Sequence, residues 1–143
     1  MIQVSEVVAA LLLLVPAVTL AVSAAQHLRD PLRFKAVLVA QQVIAYRYVG
    51  AAGRGTAVAE IACAVGGGVA AASVVAGGGL MVLGLAQSVL LFTFAAYVVV
   101  LLRRGRSVPC GCFGSDKPAS AGTALRAVLL GLAPVAAVVV TTL

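Results

Sequence analysis

Two thiols separated by a single glycine stand in the stretch Val108-Pro109-Cys110-Gly111-Cys112-Phe113-Gly114. It is the one place in the chain where two reactive side chains lie this close in sequence. Glycine tolerates backbone angles that let both sulfurs turn towards each other. A disulfide between Cys110 and Cys112 would close a very small ring, and strained disulfides are easily reduced. The pair is therefore suited to exchange rather than to permanent cross-linking. Arg103, Arg104, Arg106 and Lys117 flank it, and nearby positive charge enriches the reactive thiolate.

Three further residues join this dithiol as candidates: Cys63, Glu60 and Arg126. Glu60 precedes Cys63 by three positions, which puts both on one side of a helix. An ionisable side chain inside an apolar segment is a functional candidate by default. Glu60, Cys63, Cys110, Cys112 and Arg126 are expected to gather in a pocket just below the membrane surface. Plainer roles stand beside these. Glu60 can form a structural ion pair with Arg126 or Arg54. Cys63, among alanines, can be a small apolar filler. Three thiolates can also hold a soft metal, Cu(I) or Zn(II), although no histidine accompanies them in the loop. His27, the only histidine, is read as marking a helix end, and Gln87 as an interhelical hydrogen bond.

The elements that must position these residues are apolar. Of 143 residues, 63% are hydrophobic and 10% charged, with a mean hydropathy of +1.17. A water-soluble domain of this length cannot hide so much apolar surface, so lipid must be the solvent for much of the chain. The pattern predicts one all-α integral membrane domain over the whole chain, a bundle of four transmembrane helices over about residues 7–25, 56–75, 80–102 and 124–143. Pro16 is expected to kink the first span. Residues from about 32 to 48 mix charge with Phe34, Tyr46 and Tyr48, which suits an interfacial helix between spans 1 and 2. A flexible break is expected from Gly50 to Gly53, and the dithiol loop covers about 103–120.

The charge of +6 would suggest nucleic acid in a soluble protein. Here the basic residues flank apolar segments without any RNA-binding pattern, so membrane orientation explains them better. Arg29, Arg33, Lys35, Arg47 and Arg54 fall in the first connection; Arg103, Arg104, Arg106, Lys117 and Arg126 fall in the third. The second connection and both termini carry none. The positive-inside rule then puts both termini outside and the dithiol loop in the cytoplasm. A crossing by residues 36–52 would make a fifth span and cancel this asymmetry.

Ser23-Ala24-Ala25-Gln26-His27-Leu28-Arg29-Asp30-Pro31, Ala59-Glu60, Cys110-Gly111-Cys112-Phe113-Gly114 and Arg126, in that order, resemble the MauE branch of the DoxX-like membrane proteins. The resemblance runs over nearly the whole chain, and the Cys-Gly-Cys-Phe-Gly stretch is its most specific part. The family often has Lys where His27 stands, and Asn where Ala127 stands. The resemblance implies a small four-helix protein of the bacterial inner membrane that helps disulfides form with a thioredoxin-like partner. It also implies an analogy to enzymes that link thiols to a quinone through a four-helix bundle. A periplasmic partner wants the dithiol outside, whereas the charges put it inside. The leading expectation is thus a thiol–disulfide protein. The alternatives are a non-catalytic subunit or assembly factor of a larger complex, as a homo- or hetero-oligomer, and a carrier of soft metal or of sulfane sulfur as a persulfide.

Overall fold

The computed structural model describes residues 3–78, 82–105 and 118–142. They form five helices: α1 (Val4–Arg29), α2 (Pro31–Gln41), α3 (Tyr46–Val75), α4 (Val82–Arg103) and α5 (Ala121–Thr142). Four of them, all but α2, are long and apolar enough to cross a membrane. Each long helix packs chiefly on two others, in the cyclic order α1, α3, α4, α5. The result is the expected four-span bundle. Leu11, Val18, Val65, Val89 and Leu129 are among the large apolar side chains left facing outward, as lipid contact requires.

The polar run from Gln26 to Arg29 forms the last turn of α1, and the helix ends there, at Arg29. The helix also runs through Pro16, which is fully buried. Asp30 then starts α2: its side chain accepts a hydrogen bond from the Arg33 amide at 3.0 Å, and Pro31 occupies the first turn. A carboxylate cap followed by proline suits a helix start, where amide hydrogens lack partners.

At 11 residues, α2 is too short to cross the hydrocarbon core. It ends at Gln41 rather than near Tyr48, so residues 36–52 do not make a span of their own. Tertiary contacts, not a helix-breaking residue, set this end. Gln42 adopts a left-handed conformation with φ 50°, and its carbonyl accepts from Arg104 Nη1 at 3.2 Å. Beside it, fully buried Gln41 accepts a hydrogen bond from Tyr97 on α4.

The expected break at Gly50 to Gly53 is not one: both lie inside α3. In lipid a helix is the way to satisfy the backbone, which outweighs glycine's preference for irregular structure. Gly53 faces α2, where a Cβ would meet Phe34 and Leu38 in ordinary contact at 3.6 Å. Gly67 and Gly84, deeper in the bundle, allow closer approaches. Added Cβ atoms would overlap the Gln87 amide and the Leu13 side chain respectively. At the far end of α3, Gly77 makes the turn with φ 74°. Ser120 caps α5 by accepting from the Thr123 amide at 3.2 Å.

Candidate functional site

A buried stripe on α1 runs through Ala9, Leu13, Pro16, Leu20, Ser23 and His27, spaced by three and four residues as one helix face demands. Its last two members are polar. They face α3, on which Glu60 belongs to the inward stripe with Ala57, Gly67 and Val74. Ser23 Oγ donates to Glu60 Oε1 at 2.7 Å, and His27 Nδ1 shares a hydrogen bond with Oε2 at 2.8 Å. All three are nearly inaccessible: 1% for Ser23, 5% for His27 and 0% for Glu60. Phe34 of α2 stacks on the imidazole with ring centroids 3.7 Å apart and planes inclined by 14°. The ring is thereby held edge-on to the carboxylate.

A buried carboxyl costs several kcal/mol unless its oxygens find partners. Ser23 and His27 give one to each oxygen. With Glu60 ionised, Nδ1 must carry the hydrogen. A carboxyl–imidazole pair at this distance can also pass a proton with almost no motion of heavy atoms.

Two lateral grooves reach this cluster. One, between α1 and α5, encloses about 410 Å³ and is lined by Val18, Thr19, Val22, Ser23, Arg126 and Leu130. The exposed Arg126 thus shares a groove with the serine that binds Glu60. The second groove lies against α2 and α3 and includes His27, Lys35 and Arg54 in its lining. Neither arginine pairs with Glu60; the side chain that meets Oε2 is His27, through Nδ1 at 2.8 Å. His27, in the last turn of α1, is thus also a buried partner of the carboxylate.

Glu60 and Cys63 address different neighbours. Glu60 turns to α1, whereas the half-buried Cys63 thiol lies 3.7 Å from the Ala86 carbonyl on α4 and donates to it. Gln87, expected to bond another helix, is fully buried, yet its side-chain oxygen and nitrogen have no hydrogen-bond partner among the described residues. It presses on Gly67 instead. Cys110 and Cys112 lie outside the described residues. The two ends of their connection are described: Arg103 closes α4 and Ala121 opens α5. Following the helices in order, both ends sit at the end of the bundle that also holds His27 and Arg126.

Neither the curated proteins nor the solved structures contain a match to this chain. A family model, methylamine utilisation protein MauE, matches residues 4–141, from the first helix to the end of the last. A membrane bundle with this motif order, matched over nearly its whole length, belongs to the MauE family.

Proposed function

We propose that this chain is a thiol–disulfide exchange protein of the bacterial inner membrane, acting through Cys110 and Cys112 in a MauE-like maturation role. In its disulfide form the loop meets a thioredoxin-like partner bearing two thiols. One partner thiolate attacks a loop sulfur, breaking the Cys110–Cys112 bond and forming a mixed disulfide. The partner's second thiolate resolves it. The partner leaves as a disulfide, and the loop keeps two electrons and two protons as a dithiol. A quinone held between the helices would supply the two-electron oxidant that restores the loop disulfide, taking up the two electrons and two protons. Glu60 accepts a proton during the exchange, Cys63 serves as a relay thiol, and Arg126 with the loop arginines favours thiolate. The charge asymmetry puts the loop on the cytoplasmic face.

The observation that carries this reading is the course of the helices. It brings α4's last residue, Arg103, and α5's first, Ala121, to the end of the bundle where a buried carboxylate and an imidazole share a hydrogen bond, and the two thiols lie between them in sequence. The family membership supports the maturation role.

Thiol trapping in acid-quenched cells tests it. Proteins are alkylated with a heavy maleimide before and after reduction, in wild type and in each Cys→Ala variant. Cys110 and Cys112 should appear as free and reducible forms whose ratio moves with growth conditions, and Cys112→Ser should accumulate a mixed disulfide. If all three thiols stay free under every condition, redox cycling is excluded. If Cys110→Ser leaves both function and abundance unchanged, a non-catalytic subunit role replaces it.

A further inference from the structure

The groove against α2 and α3 encloses about 410 Å³ and is mostly apolar in its lining. Leu28 and Leu32 form one wall, Val58 and Ile61 the other. Each of these four side chains is exposed, from 42% at Ile61 to 79% at Leu32. The walls therefore continue outward into the apolar surface that the spans present to lipid. Two cations, Lys35 and Arg54, share the same lining, and no Asp or Glu does. Lys35 Nζ stands 5.8 Å from the centre of the Tyr46 ring, a cation–π contact that holds the ammonium beside the start of α3.

We infer that this groove binds an anionic phospholipid, with the headgroup phosphate between Lys35 and Arg54 and an acyl chain along Val58 and Ile61. Charge complementarity selects the ligand. Two cations without a neighbouring acid favour a headgroup of net negative charge over a zwitterionic one, whose own cation would meet Lys35 or Arg54. The apolar walls select lipid over a free anion, since inorganic phosphate leaves them uncovered. The groove also ends on His27 and its stacked Phe34. A bound lipid would shield this side of the Glu60 cluster from water. The inference stands whether or not the loop cysteines cycle.

The test is native mass spectrometry of the purified full chain in detergent, titrated with phosphatidylglycerol and, separately, with phosphatidylcholine. A first phosphatidylglycerol should bind more tightly than phosphatidylcholine. Lys35→Gln with Arg54→Gln should weaken it by roughly fivefold for each lost charge. Arg29→Gln with Arg103→Gln, an equal charge change at exposed sites outside this groove, should leave the first binding event intact. Millimolar inorganic phosphate should not displace the lipid. Equal affinity for the two lipids, equal losses in both double variants, retention in the groove variant, or displacement by phosphate would each overturn the assignment.

Discussion

Ser23 and His27 are four residues apart on α1, so one carboxylate on α3 can meet both at once. This makes the three side chains a unit, and single substitutions should report it. Ser23→Ala is expected to cost about 1–3 kcal/mol, because a fully buried oxygen of Glu60 loses its donor. His27→Ala should cost more, because it leaves the other buried oxygen of Glu60 without its partner and also vacates the space of a buried, stacked ring. Glu60→Gln added to His27→Ala should recover part of that loss, since the uncompensated charge disappears. Unfolding of these proteins and of the Glu60→Gln single variant in detergent closes the cycle; additive changes for His27 and Glu60 would show that the two are not coupled. A separate readout addresses proton acceptance by Glu60. If it takes a proton during exchange, Glu60→Gln should slow reduction of the loop disulfide at least about tenfold while the protein stays folded. Glu60 was legible in the sequence as an ionisable residue inside an apolar run. Its partners were not. His27 stands among Gln26, Arg29 and Asp30, which read as a helix end, although the spacing from Leu13 through Leu20 and Ser23 already put it on the buried face.

The helices themselves were readable from apolar length, and four spans follow from it without tertiary information. Their ends were less so. The break after Gln41 depends on Tyr97 and Arg104, which lie more than fifty residues away in sequence, and no local signal announces it. Glycine was the ambiguous letter, because the same residue type makes the turn at Gly77 and the close contact at Gly67. The second kind depends on what stands opposite, here the Gln87 amide, which has no partner among the described residues. Gln87→Leu should therefore be neutral or stabilising by about 1 kcal/mol, since it removes a buried amide that lacks partners. Gly67→Ala should destabilise the native protein but cost much less in a Gln87→Ala background, where the Cβ has room. A double-mutant cycle on thermal unfolding reads the coupling. Equal costs in both backgrounds would mean that Gly67 is needed for some other reason.

Orientation belongs to the whole molecule. Four crossings bring the two chain ends to one side and the connections after α1 and α4 to the other. Those two connections and the helix ends beside them carry all ten basic residues, with Arg54 in the third turn of α3 and Arg126 in the second turn of α5. Reversing the protein would require both clusters to cross the membrane, against the bias that sets topology. The packing adds a second constraint, because Arg104 after α4 is tied to Gln42 after α2. The two basic connections are thus joined and must lie on the same side. With Cys63 replaced by Ala, a membrane-impermeant maleimide should leave Cys110 and Cys112 unlabelled in intact spheroplasts and label them after permeabilisation. A cysteine introduced at Gln3, in a chain lacking the native three, should label at once. The opposite pattern would put the dithiol on the outer face. Its partner would then be sought among periplasmic thioredoxin-like proteins, and the two basic clusters would need some role other than orientation.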